Sequence, residues 1–291
     1  DHRQIVWDGR LAAAVRRAAP GWLREDLGLE ADWTTIALVP AAEVGRLAVV
    51  ARRSGVIAGL PAAGIVAAEV DCQLSFEAAI SDSQRVEPGT VVAHLAGPIR
   101  SILQAERVLL NLLGRLSGVA TATRQLVDLV AETGCRIYDT RKTLPGWRLL
   151  DKYAAGCGGG FTHRLGLYDA ILIKDNHLAA AAERGLTPAA AVARSRQFIA
   201  ATFPPERAAA MVVEVEVDTI EQADAVFTAG QRSGQPDIVL LDNMSPDQLR
   251  QCVGLRNRLA ADVILEASGG ITLESAAAVA ATGVDRISTG L

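Results

Sequence analysis

The 291 residues are enough for one large α/β domain or two smaller ones, and half of them are hydrophobic while only 4% are aromatic, which excludes a disordered or disulfide-stapled chain and suits parallel α/β packing. Charges nearly cancel, 29 Lys and Arg against 33 Asp and Glu for a net of −4, so no global basic field exists to attract nucleic acid or an anionic membrane, and any anion site has to be local. Cys72, Cys135, Cys157 and Cys252 are scattered without a CxxC pair, and no stretch approaches the ~20 apolar residues of a membrane span; a cytoplasmic protein with reduced thiols is expected.

The N-terminal part predicts strands at 46–50 and 91–95, a helix at 60–69 and a turn at Glu87-Pro88-Gly89, the pattern of an α+β domain of its own. A periodic helix at 102–116 follows, apolar at Val108, Leu109, Leu112, Leu113 and Leu116, with Glu106 and Arg107 embedded among them. A charge hemmed by leucines is costly unless an anion meets it. Arg107 is therefore expected to face either an acid of its own subunit, such as Glu106, or an external anion. The domain boundary is placed at the end of this helix, giving domains 1–116 and 117–291.

From about residue 135, short β-rich runs alternate with Ala-rich helical stretches: 135–138, 170–173, 211–217, 238–241, 263–265 and 284–287. This βαβ rhythm predicts a (β/α) barrel, whose active site forms where the strands end. Those ends carry Asp139, Lys174, Glu216, Asp242, Ser268 and Ser288. Within 213–217, valines alternate with Glu214 and Glu216, so the carboxylates are expected to point into the barrel. Glu214 serves equally as a buried partner of a core Arg or Lys or as a functional group; Glu216, nearer the strand end, is the functional candidate.

Three segments concentrate chemistry. Asp139-Thr140-Arg141-Lys142-Thr143 follows a strand, though an Arg-Lys pair alone is usually a solvated loop. Glycines 158–160 precede His163 and Arg164, and Lys174 and His177 come soon after, a dense cationic set in an acidic chain that suits a small polyanion. Glu266-Ala267-Ser268-Gly269-Gly270 before a helix at 273–282, with Ser288-Thr289-Gly290 after the next strand, fits a phosphate cradle at the end of a barrel. A Schiff-base role for Lys174 in a barrel aldolase and a non-catalytic anion-binding barrel are the competing readings.

Taken together, REDLG and TT within 24–35, ERVLLNLLGRLSGVATAT at 106–123, DTRKTLPG at 139–146, HRLGLYD and LIKDNH within 163–177, VEVEVD, LLDNM and EASGG resemble the quinolinate phosphoribosyltransferase family over essentially the whole chain. The resemblance implies an N-terminal α/β sandwich domain, an open (β/α) barrel and a homodimer, or a higher oligomer built from it, in which one subunit completes the other's site. It implies that Arg141, His163, Arg164 and Lys174 bind the quinolinate carboxylates, joined by Arg107 across the interface. It further implies that Lys142, Glu216 and Asp242 serve phosphoribosyl pyrophosphate and its Mg²⁺, with Glu216 and Asp242 reaching the metal directly or through water or substrate. Ser268, Gly269, Gly270 and Gly290 correspond to the 5′-phosphate cradle. Thr162 stands where the family usually has Asn. The activity implied is a pentosyltransferase (EC 2.4.2.19) making nicotinate mononucleotide for NAD biosynthesis, with catalytic roles for Lys142, Lys174, Glu216 and Asp242.

Overall fold

The structure, a computed structural model, describes residues 2–182 and 185–290. In chain order the first half forms α1 (Gly9–Leu27), α2 (Trp33–Leu38), β1 (Val44–Val50), β2 (Gly55–Val56), α3 (Leu60–Val70), β3 (Ser75–Ala78), β4 (Arg85–Val86), β5 (Val91–Pro98) and α4 (Ile99–Val130). The second half forms β6 (Arg136–Tyr138), α5 (Arg148–Cys157), β7 (Ile171–Ile173), α6 (Asp175–Ala182), α7 (Pro188–Thr202) and α8 (Pro205–Ala210). It continues with β8 (Val213–Val217), α9 (Ile220–Ser233), β9 (Ile238–Asp242), α10 (Pro246–Leu259), β10 (Ile264–Ser268), α11 (Leu273–Ala280) and β11 (Arg286–Ser288).

Two compact units share this chain. One contains 5–124 and 145–159; the other contains 1–4, 125–144 and 160–291. The boundary expected after residue 116 falls inside α4, which runs on to Val130, and α5 belongs with the N-terminal elements rather than with the strands that flank it. The segment 230–236, expected to be a loop, is helical as far as Ser233.

In the N-terminal unit, β1, β5 and β3 form an antiparallel sheet in that order. Leu95 and Ala93 from β5 pack with Ala63 and Ala67 from α3 and with Ile102, Ala105, Leu109 and Leu113 from α4. The spacing of the α4 residues, three or four apart, puts them on one helix face. A second cluster joins Leu11, Val15, Ala19 and Leu23 of α1 to Leu112, Leu116 and Ala120 of α4 and to Leu150, Tyr153, Ala154 and Cys157 of α5. Asp8 starts α1 by accepting from the Arg10 and Leu11 amides, both at 2.9 Å. The layers of sheet and helix make this a small α/β domain.

Polar contacts inside this unit are directed. Asp82 accepts from the Gly59 and Leu60 amides at 2.8 and 3.0 Å, capping α3, and from the Tyr153 hydroxyl at 2.6 Å. Arg115 grips Asp151 through two hydrogen bonds of 3.0 and 2.8 Å, and Trp147 stacks on Trp22.

The other unit is built on a six-stranded parallel sheet ordered β6-β11-β10-β9-β8-β7. Read in sequence numbers this is one continuous circuit that opens between β6 and β7, the order of an open (β/α) barrel. Register aligns Val217 with Leu241, Leu241 with Ala267, Ala267 with Ile287 and Ile287 with Ile137. These residues form a core with Val192 and Ile199 of α7, Val226 and Phe227 of α9, Leu249 and Cys252 of α10 and Val279 of α11. Alternation sends the intervening residues to the inner face.

Asp82 holds three donors at once, so Asp82→Ala is expected to lower stability by about 2–3 kcal/mol, the order expected when a charged acceptor is removed from buried donors. Tyr153→Phe should cost about 1 kcal/mol by the same principle. Urea denaturation of both variants checks this; equal midpoints for wild type and Asp82→Ala would contradict it.

Candidate active site

The residues on the inner face begin with charge that has no water to face. Glu214 and Glu266 are fully buried and Arg286 is 1% exposed. Arg286 Nε lies 2.5 Å from Glu266 Oε2, its Nη2 lies 3.8 Å from Glu214 Oε2, and its guanidinium sits 4.5 Å from the centre of the Tyr138 ring. The Ser288 hydroxyl also favours the charged Glu266 carboxylate. Burial alone raises the pKa of Glu266, but His163 and Arg286 outweigh it and bring it below the ordinary carboxylate value. Burial likewise works against the Arg286 charge, and Glu266 and Glu214 more than compensate.

His163 connects this interior to the strand ends. Its Nε2 lies 3.3 Å from Glu214 and 3.4 Å from Glu266, while its backbone N–H donates to Asp139 Oδ1 at 2.8 Å. Nδ1 accepts from the Arg164 amide at 2.8 Å. The two effects compete at Nδ1, because the carboxylates favour a second ring proton and the Arg164 amide needs the lone pair. Burial opposes the imidazolium as well, yet Glu266 and Glu214 prevail and raise its pKa to about 9. His2 stacks on this ring with centroids 4.5 Å apart; burial first, then the charge at His163, lowers its pKa to about 2. Gln4 holds the adjoining segment, accepting from the Thr162 amide at 2.8 Å and donating to the Thr162 carbonyl at 3.4 Å. Thr162 thus engages this segment through its backbone.

Next to His163 the cationic set gathers. Arg164 is buried, and that burial, together with neighbouring Arg141, lowers its pKa. Two guanidinium groups that disfavour each other's charge make a point where an anion is stabilised. Arg141 Nε is buried and has no hydrogen-bond partner among the described residues. Lys174 Nζ lies 2.5 Å from Glu216 Oε2. His177, grouped with the cations from sequence, is exposed, and its Nδ1 accepts from the Lys174 amide at 2.9 Å, closing the turn into α6.

A third group lies where β9, β10 and β11 end. Gly269 and Gly270 adopt φ of 89° and 61° after Ser268, a conformation other residues reach only with strain. A Cβ on Gly290 would lie 3.3 Å from Thr140 Oγ1 and 3.4 Å from Lys142 Cβ, which puts the loops after β11 and β6 side by side. Asp242, half-buried, ends β9 next to the end of β10, with Asp242 and Ser268 in register.

Arg107 belongs to the N-terminal unit and is exposed on α4, so the expectation that leucines bury it is corrected: Leu109, Leu112 and Leu116 point to the core and Arg107 points away from them. An exposed guanidinium carries no burial cost that an anion must offset.

With this geometry in hand, comparison with known proteins is decisive. The quinolinate phosphoribosyl transferase N-terminal domain matches residues 32–117 and the C-terminal domain of the same family matches 119–291. The chain belongs to the quinolinate phosphoribosyl transferase family. Among relatives, a nicotinate-nucleotide pyrophosphorylase [carboxylating] of Mycobacterium leprae is 41% identical over 95% of this chain and 90% of its own length. A probable nicotinate-nucleotide pyrophosphorylase [carboxylating] of Synechocystis is 39% identical over 92% of this chain and 84% of its own. The solved nicotinate-nucleotide pyrophosphorylase of Francisella tularensis matches with a TM-score of 0.87 at 35% identity, covering 100% of this chain and 94% of that one. No described helix is long and apolar enough to cross a membrane.

Sequence reasoning about this family member missed His2, the pairing of Glu266 and the whole role of Arg286. A signal for Arg286 was present. Arg286-Ile287-Ser288 alternates like the other strands, and two inward carboxylates require a cation.

Protonated His163 stabilises the fold because its folded pKa, about 9, exceeds the unfolded value of 6.5. That contribution is complete below pH 6.5 and is lost as pH rises through 9, up to about 3 kcal/mol. His2 has the opposite sign: its contribution is complete above pH 6.5 and declines as pH falls toward 2. Stability is therefore expected to peak near pH 6.5, and His163→Gln should flatten the alkaline limb. A ring that titrates near 6.5 by NMR would contradict the raised value.

Proposed function

We propose that this protein joins quinolinate to phosphoribosyl pyrophosphate, making nicotinate mononucleotide, pyrophosphate and carbon dioxide, the EC 2.4.2.19 step of de novo NAD biosynthesis. The observation that carries the reading is the Arg141–Arg164 pair at the strand ends, with one guanidinium buried and a buried Nε left without a partner among the described residues. A site built this way suits a planar dianion better than a monocarboxylate. The names of the relatives support the same assignment.

In this reading Arg141, Arg164 and Lys174 take the quinolinate carboxylates, with His163 beside them. Lys142 serves the pyrophosphate, and Ser268, Gly269, Gly270 and Gly290 cradle the 5′-phosphate through backbone N–H groups. Glu216 and Asp242, on adjacent strands, fit Mg²⁺ held by one or two carboxylates together with substrate phosphates. They do not make a protein-only cage: the cluster of three His, Cys, Asp or Glu ligands among the described residues is His2, His163 and Glu214, deeper in the interior beside Arg286. When bound, Mg²⁺ neutralises the charge of the leaving pyrophosphate.

The pyridine nitrogen attacks C1 of the ribose, and the C1–O bond to pyrophosphate breaks with its electron pair leaving on oxygen. Glu216 and Asp242 face the electron-poor sugar carbon. With the ring nitrogen now cationic, the C2–carboxylate bond breaks, carbon dioxide leaves, and the electron pair at C2 takes a proton from water. A Schiff-base role for Lys174 is disfavoured by its ion pair with Glu216.

The assay that tests this is turnover of quinolinate against nicotinate with phosphoribosyl pyrophosphate and Mg²⁺, where carbon dioxide is expected in equal amount to nicotinate mononucleotide. Equal use of nicotinate refutes the assignment. Arg164→Lys keeps the charge and loses the planar fork, so binding of the quinolinate look-alike phthalate should weaken by about 1–3 kcal/mol in calorimetry. Glu216→Ala and Asp242→Ala should instead impair turnover far more than phthalate binding.

The proposed assembly is a two-fold homodimer in which Arg107 of the partner subunit completes each site. Its support is the exposure of Arg107 and of apolar Trp33, Leu38, Val44 and Leu47 in the N-terminal unit. Arg107→Ala and Lys174→Ala should each be nearly inactive alone. Refolded together with random pairing, half the dimers are mixed and each holds one intact site, so about a quarter of wild-type activity should return. Mixed dimers without activity would put both residues in the same subunit's site.

A further inference from the structure

Asn243 takes no part in the roles assigned so far, yet three observations converge on it. Its φ is 52°, one of two positive values at non-glycine residues among those described. Asn is the side chain best suited to that region after glycine, but the conformation still has to be held by its surroundings. Core packing does not hold it, because the residue is exposed. Hydrogen bonds hold it instead. The side-chain Nδ2 donates to Asp242 Oδ2 at 2.6 Å, and the backbone N–H donates to the Ser268 carbonyl at 2.9 Å. The third observation is steric: a Cβ on Gly269 would lie 2.2 Å from Asn243 Oδ1, 2.6 Å from its Cγ and 2.9 Å from its backbone nitrogen. Gly269 is thus required not only for its φ of 89° but because the Asn243 side chain fills the space beside it.

We propose that Asn243 is a positioning residue that locks the Asp242 carboxylate and the 268–270 loop into one rigid unit, setting the separation between the metal-facing carboxylate and the 5′-phosphate cradle. The inference rests on the phosphoribosyl reading of these two groups. It gives the left-handed backbone a reason: in this conformation one short side chain reaches back to Asp242 while its own backbone N–H reaches Ser268. A partner that orients a carboxylate acting on a metal typically changes affinity by about 10–100-fold when removed.

The test uses Asn243→Gly, which accepts the backbone conformation and drops only the amide, and Asn243→Asp, which keeps the shape and puts a like charge against Asp242. Calorimetric binding of Mg²⁺-phosphoribosyl pyrophosphate is expected to weaken about tenfold or more in Asn243→Gly and further in Asn243→Asp. Phthalate affinity and Tm should stay close to wild type, so that KM for phosphoribosyl pyrophosphate rises while KM for quinolinate holds. Gly269→Ala should be more damaging in wild type than in the Asn243→Gly background, since the new methyl group no longer meets Oδ1 there. Unchanged Mg²⁺-phosphoribosyl pyrophosphate binding in both variants, a parallel loss of phthalate affinity, or strict additivity with Gly269→Ala would each overturn the proposal. Failure of the underlying reading looks different: wild type would then bind no phosphoribosyl pyrophosphate, which overturns both, or would bind it without turning over quinolinate, which overturns the substrate assignment and leaves the Asn243 binding comparison to decide.

Discussion

The interior of the parallel sheet has to be electrically balanced, and much of the site depends on how that is done. Glu214 and Glu266 are fully buried, and each uncompensated would cost several kcal/mol. Arg286 and His163 supply the compensation. Because the His163 ring is held from inside at Nε2 by Glu214 and Glu266 and its backbone N–H donates to Asp139, the place of the His163-Arg164 segment is set by buried charges. The same logic separates the two carboxylates of β8. Glu214 belongs to the interior balance; Glu216, one step nearer the strand end, is still buried but meets Lys174, whose side chain is partly accessible.

The six parallel strands were legible because their signal is local. Short runs of Val, Ile and Leu recur between Ala-rich helices, and each observed strand begins within two and ends within three residues of its expected position. The polar residues that end those strands were equally legible, since strand polarity alone says which end carries chemistry. In VEVEV, strict alternation assigned the faces, and the valines do pack with the outer helices.

What the sequence concealed is non-local or locally contradicted. Helix α1 has an N-cap at Asp8 and buried residues four apart at Leu11, Val15, Ala19 and Leu23, but Pro20-Gly21 interrupts the pattern and reads as a break. Past residue 116, α4 continues through Gly118, Val119, Thr121 and Thr123, weak helix formers that suggest an end where tertiary packing sustains the helix. The exposure of Arg107 was readable but overlooked, because leucine neighbours in sequence are not neighbours on a helix surface and the buried stripe of 102, 105, 109, 112, 113 and 116 passes it by. The match of Arg286 to Glu266 and of Asn243 to Gly269 joins residues from different strands or loops, a relation that appears only when the sheet is assembled.

Helix α5 lies in sequence between the Arg141-Lys142 loop and the His163-Arg164 segment, yet it is packed with α1 and α4 through Leu150, Tyr153 and Cys157 and fastened by the Arg115–Asp151 bridge. The chain is consequently not modular. A fragment cut at residue 117 would retain α5 while discarding its apolar partners on α1, leaving a sticky helix spliced between the Arg141-Lys142 loop and the His163-Arg164 segment. Recombination that exchanged one unit at a single crossover would pair α5 with a foreign surface. Such an architecture ties the inheritance of the two units together, so that variation on the α1 and α4 faces is constrained to accompany variation in a helix encoded inside the barrel.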